Sequence, residues 1–213
     1  MCLELARLGF VDACFAAETQ LDGYMREQDW TQLLGEDVAT EHLETGFCNT
    51  ALLFGRKHRG ESVKTGQEQG VKIESPFLAL LLARRAEQVG KKKRIFELTA
   101  EAYRRQWRRA ADSLGMSWMP PPHSLRHTGP SEDATTGRRT LEDIRRRGRW
   151  TQPKSVQRYS KPHALIVHKA RLPAELLQKG RDLEENFDAA LREHIDVICS
   201  WHAPLAKTME ERR

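Results

Sequence analysis

The sequence predicts a mainly helical chain carrying a small antiparallel β-sheet, an α+β fold. Three observations predict it. Apolar residues recur at helical spacing over most of the chain, beginning with Leu3, Leu5, Leu8, Val11 and Phe15. The portion around residues 51–73 instead shows short apolar runs punctuated by glycine. Elsewhere, capping residues and prolines precede the periodic stretches and glycines follow them. A chain of 213 residues with 39% hydrophobic content can bury one good core and carry a terminal appendage. The expected division is one domain over 1–165 and a helical extension with a tail over 166–213.

In chain order, residues 3–17 predict an amphipathic helix, and a second covers about 26–34 before Gly35. The run Ala51–Phe54 predicts a strand. Ser62–Ile73 predicts a hairpin, with Gly66 and Gly70 supplying the turn. Ser75-Pro76 opens the helix FLALLLARRAEQ, since proline is tolerated in a first helical turn; Gly90 stops it. Lys91–Arg94 form a basic loop. Thr99 begins a helix that reaches about Leu114, with Trp107 in core or interface. The prolines at 120–122 make a rigid linker that delivers His123 to the next helix, from Ser124 to about Thr135. Thr140 caps another, with Glu142 and Asp143 in its first turn, and Ser155 opens a short helix carrying Tyr159. Residues 173–203 are mostly helical, with Leu176, Leu177, Phe187 and Ile195 on an apolar face that either folds back or docks on a neighbouring subunit.

The net charge is only +5, yet the cations are bunched as KKKR at 91–94, RRQWRR at 104–109 and RRRGR at 145–149. Bunched cations attract a polyanion because each neutralised phosphate releases its counterion; a solvated helix face accounts for any single cluster equally well. Lys91, Lys92, Lys93, Arg145, Arg146, Arg147 and Arg149 are the candidate nucleic-acid contacts. The four cysteines are scattered without a CxxC pair, which predicts free thiols in a reducing compartment, nuclear or cytoplasmic, and no zinc site. His163 and His168 lack partners at metal spacing, so no metal is expected. No apolar run reaches membrane-spanning length, the amphipathic N-terminus is unlike a secretion signal, and no phosphate-cradling glycine loop points to a nucleotide cofactor.

One stretch concentrates chemistry-bearing residues. His123 and Arg126 stand three apart, Trp150 follows the arginine by 24 residues, and Tyr159 follows by nine more. His123-Ser124-Leu125-Arg126-His127-Thr128, Gly148-Arg149-Trp150 and Val156-Gln157-Arg158-Tyr159 together resemble the tyrosine recombinases, the phage-integrase-like family, over roughly residues 21–159. Tyr24-Met25-Arg26-Glu27-Gln28-Asp29 with Glu36-Asp37-Val38 is similar to the family's first arginine motif. Gln28 and Asp29 stand where glycine and glutamate are commoner. Val63-Lys64-Thr65-Gly66 is similar to the family's lysine hairpin, with Lys57 and Lys72 as rivals for that lysine.

The resemblance implies a catalytic domain without the family's N-terminal DNA clamp, no cofactor, double-stranded DNA as partner, and self-association on that DNA. It implies the set Arg26, Lys64, His123, Arg126, Trp150 and Tyr159. Tyr159 would attack phosphorus and form a 3′-phosphotyrosyl intermediate that conserves the bond energy for rejoining. Arg26 and Arg126 would clamp the non-bridging oxygens, a role that suits a planar, permanently charged fork. Lys64 would protonate the leaving 5′ oxygen. His123 would exchange a proton with Tyr159 or orient the phosphate. Trp150 would donate its indole N–H and pack the site, and His127 is expected in a buried structural role beside Arg126. Each residue also has a plain alternative: His123 a helix cap, Tyr159 a half-buried aromatic, Arg26 and Lys64 surface cations. A derived module that binds DNA or protein without cutting is the alternative function.

Overall fold

The computed structural model describes residues 1–43, 46, 48–56, 69–160, 166, 167, 170 and 172–185. Nine α-helices and a three-stranded antiparallel sheet make up the described chain, as the periodicity predicts. The order is α1 (Cys2–Arg7), α2 (Val11–Asp22), α3 (Glu27–Thr31), β1 (Val38–His42), β2 (Cys48–Phe54), β3 (Gln69–Ile73), α4 (Pro76–Val89), α5 (Ala100–Ser113), α6 (Leu125–Thr136), α7 (Leu141–Arg147), α8 (Lys154–Gln157) and α9 (Ala174–Glu185).

The single helix expected over 3–17 is two. Gly9 adopts φ +77°, its N–H donates to the Ala6 carbonyl, and the Phe10 N–H donates to the Leu5 carbonyl at 2.8 Å. That pair of bonds is the glycine-terminated helix stop, which satisfies carbonyls the helix leaves open. The chain then turns and α2 runs on to Asp22, beyond the expected end. The second expected helix is also shorter: α3 spans five residues, and a 3₁₀ turn at Gly35–Asp37 feeds β1. Gly35 is obligatory there, since a Cβ would approach the Gly90 carbonyl oxygen to 2.4 Å.

β2 is the central strand, pairing Thr40 with Thr50 on one side and Val71 with Leu52 on the other. Its residues alternate strictly, with Cys48, Thr50, Leu52 and Phe54 buried, as a half-covered sheet requires. Helix α4 supplies the cover through Phe77, Leu78, Leu81 and Leu82. Of the hairpin expected over 62–73, residues 62–68 lie outside the described residues; Gly70, expected in its turn, lies instead within β3, opposite Leu53 of β2. β1 carries no sequence signal because its residues are half-buried or exposed.

Trp30 anchors the helical half. It meets Tyr103 edge-on at 5.0 Å and Phe96 at 5.8 Å between ring centroids, geometry that aromatic quadrupoles favour. A second, smaller cluster of Tyr24, Ile144, Val156 and Tyr159, with Ala134 and Trp150 against it, lies apart from this core. Among the described residues Cys2, Cys14 and Cys48 are free thiols, and no helix is long and apolar enough to cross a membrane.

Candidate active site

The small aromatic cluster is the floor of the site. α6 enters it directly after the prolines: a 3₁₀ turn at Pro122–Ser124 passes into the helix, so His123, Arg126 and His127 fall within about one turn of each other. Gly129 lets this helix approach α2 and the turn after it, because a Cβ there would meet the Leu21 carbonyl at 2.7 Å and the Tyr24 ring at 2.8 Å.

Arg126 is 4% exposed. One terminal nitrogen donates to the Tyr24 carbonyl and the other to the Gly148 carbonyl at 2.8 Å. Its guanidinium lies 4.8 Å above the Trp150 ring. Burial pushes its pKa down to about 10, helped by the charges of Arg149 and Arg26. It therefore keeps its charge at neutral pH. Gly148 makes the stack possible: a Cβ there would fall 1.8 Å from the indole, so only glycine permits the tryptophan to fold back.

Arg26 immediately precedes α3. Its N–H donates to the Asp29 carboxylate at 2.8 Å, which satisfies one open donor of the first turn. Its half-buried side chain forms no ion pair with any described residue, while its charge is felt at both Arg126 and Arg149. Asp29 also receives Arg149 at 2.6 Å. That ion pair steadies Arg149 at φ +57°, a left-handed conformation that is costly for any residue with a side chain. Asp29, the residue that departs from the usual glutamate, thus joins the first arginine motif to the tryptophan loop.

Tyr159 follows α8 in a 3₁₀ turn and is 4% exposed. Trp150 packs against it at 5.4 Å between centroids. Its hydroxyl lies 2.7 Å from Nδ1 of His127. Burial pushes the phenol's pKa up, opposed by the charges of Arg158 and Arg126. His127 is half-buried, and burial, His123, Arg158 and Arg126 together push its imidazole below the usual histidine range. His123 is exposed and meets His127 edge-on at 5.5 Å.

The fold thus gathers Arg26, His123, Arg126, Trp150 and Tyr159. Lys64, like its rival Lys57, lies outside the described residues. The other rival, Lys72, projects from the open face of β3 opposite Ala51. His127, expected in a buried structural role beside Arg126, is half-buried and is the imidazole that meets the phenol. Its identity was visible, but nothing in the spacing tells which of two imidazoles on one helical turn meets the phenol.

The basic residues divide. Lys91, Lys92 and Lys93 are exposed on the turn after α4, where the Lys91 and Lys93 carbonyls accept from Glu36 and Gly35. Arg145 and Arg146 both pair with Glu142 at the surface. With Arg149, Trp150, Thr151, Gln69 and Gly70 they line an open cleft beside the site. Arg147 points inward to Asp22 and Glu74, and Arg149 is engaged by Asp29. Both are thus paired with carboxylates of distant segments, and Arg149 also borders the cleft. Among the described residues no cluster of three or more histidine, cysteine or acidic side chains could hold a metal; His163 and His168 lie outside them.

No family model matches the chain, and no curated protein matches it in sequence. Among solved structures, the chain is similar to the XerH site-specific recombinase, whose crystal structure is a pre-cleavage complex bound to difH substrate. The identity is 17% and the TM-score 0.52, over 74% of this chain and 43% of that one. The chain therefore matches less than half the length of that recombinase, and what the two share is the fold.

Proposed function

We propose that the chain is a recombinase-type DNA breaking and rejoining domain, with residues 1–165 as its catalytic unit. The observation that carries this is convergence. A phenol, two arginines and two imidazoles, from segments more than a hundred residues apart, cluster around the start of α6, on a fold similar to a site-specific recombinase bound to its difH substrate.

In this reading Tyr159 attacks a phosphodiester and becomes joined to the 3′ phosphate while the 5′ oxygen departs. Arg26, close to Arg126, supplies charge to the non-bridging oxygens as they become more negative. Arg126 adds its field from below, with both ends of its fork held by backbone carbonyls. His123 orients the phosphate from the solvent side. Trp150 contributes an indole N–H and a wall, since that N–H donates a hydrogen bond but does not ionise near neutral pH. The leaving oxygen takes its proton from Lys64, assigned by resemblance. Lys91, Lys92, Lys93, Arg145 and Arg146 meet the duplex backbone, where contacts position without reading sequence. Partner subunits on paired sites follow from the same resemblance.

A duplex carrying a nick beside the scissile phosphate tests this, because loss of the short strand traps the covalent intermediate. The expected result is a protein–DNA adduct that resists denaturant and is absent in Tyr159→Phe. A second reading, DNA binding without cleavage, is favoured by the near-complete burial of Tyr159. Salt-sensitive binding with no adduct would select it.

A further inference from the structure

We propose that His127, rather than His123, is the catalytic residue that takes the Tyr159 proton during strand cleavage. This step rests on the cleavage reading above and deepens it.

The geometry singles out one ring. His127 Nδ1 stands 2.7 Å from the Tyr159 hydroxyl, within the reach required of a general base. His123 is exposed and touches His127 rather than the phenol. His127 is also the immediate neighbour of Arg126 on α6, so the turn that supplies the buried cation supplies the base. The titratable and charged groups facing the imidazole are His123 from the preceding 3₁₀ turn, Arg126 from its own helix, and Arg158 with Tyr159 from the segment after α8. Burial first, and then these neighbours, disfavour imidazolium, and the neutral tautomer protonated on Nε2 presents the Nδ1 lone pair to the phenol at the observed distance. A DNA phosphate entering the pocket adds the opposite charge, which favours the protonated ring at the moment of transfer.

The step balances. The Tyr159 O–H bond breaks and leaves its electron pair on oxygen, and the proton goes to Nδ1. The phenolate oxygen forms a bond to phosphorus. The bond from phosphorus to the 5′ oxygen breaks with its pair on that oxygen, which takes a proton from the separate donor assigned to Lys64. In rejoining, the 5′ hydroxyl attacks phosphorus and gives its proton back to that separate donor, the bond from phosphorus to the phenol oxygen breaks, and His127 returns its proton to Tyr159.

Two measurements on the full chain decide the matter. In ¹⁵N-labelled protein at pH 8, the His127 ring should carry its proton on Nε2 with Nδ1 bare, and the Nδ1 resonance should shift in Tyr159→Phe. A proton on Nδ1 overturns the proposal, and this readout needs no variant of His127 to fold. On the nicked duplex, His127→Gln should slow adduct formation by about 10²- to 10⁴-fold, with unchanged DNA binding, and should abolish the acidic limb of the rate profile. His123→Gln should keep that limb. Adduct formation at full rate by His127→Gln overturns this step alone, whereas a wild-type chain that forms no adduct overturns the cleavage reading and this step with it.

Discussion

A methyl group at Gly148 would sit 1.8 Å from the Trp150 ring, and the same residue's carbonyl holds Arg126. Gly148→Ala is therefore expected to expel the indole and loosen the arginine together. Overpacking of this kind destabilises by about 1–3 kcal/mol. Urea denaturation should show that destabilisation, and trapping on a nicked duplex should show little or no adduct. At this scale the sequence was informative about residue types. The His-x-x-Arg segment, the Gly-Arg-Trp tripeptide and Tyr159, separate in the chain, lie against one another in the fold. It was mute about partners: the acids that absorb Arg147 and Arg149, Asp22 and Asp29, precede them by more than a hundred residues, and no local pattern links such distant pairs. The same blindness hid the contact between His127 and Tyr159.

Helix ends account for much of what was legible among the elements. Ser75 accepts from Leu78 N–H at the start of α4, Thr99 from Ala102 N–H at α5, and Thr140 from Asp143 N–H at α7, all at sites the sequence marks. Asp143 reciprocates at α7, where its carboxylate accepts from the Thr140 N–H and hydroxyl, the two-way arrangement that fixes a first turn. Thr140→Ala should cost about 1 kcal/mol, measured by thermal unfolding. Because α7 carries Ile144 into the cluster under Tyr159, the variant should also slow adduct formation while leaving DNA affinity near wild type. Boundaries were legible only where a cap announces them. Gly9 splits a periodic apolar stretch that looks continuous, and β1 is too exposed to show an alternating pattern.

For the molecule as a whole, the basic runs make two separable contributions. Changing Lys91, Lys92 and Lys93 together to alanine should weaken DNA binding. It should also flatten the salt dependence by about 0.9 in log–log slope for every phosphate that the variant no longer neutralises, with unfolding unchanged. Arg147→Ala should do the reverse. It leaves Asp22 without its cation while Glu74 keeps Arg139, and because the Arg147–Asp22 pair is largely but not fully buried the loss should be about 1–3 kcal/mol, below that of a fully buried pair. A binding isotherm at several salt concentrations, beside a melting curve, separates the two. The clustering of charge was evident from the sequence, but not which arginines face inward, since that depends on how α7 packs against the end of α2.

The seclusion of Tyr159 has its own consequence. With its hydroxyl committed to His127 and its ring roofed by Trp150, the phenol is hidden from small solutes, so tyrosine-directed reagents should spare it in the resting protein. Whatever uncovers it must shift the tryptophan loop or the segment after α8. If the proposed cleavage reading holds, a duplex pressed into the adjoining cleft would do so, and the nucleic acid would be at once the target and the trigger.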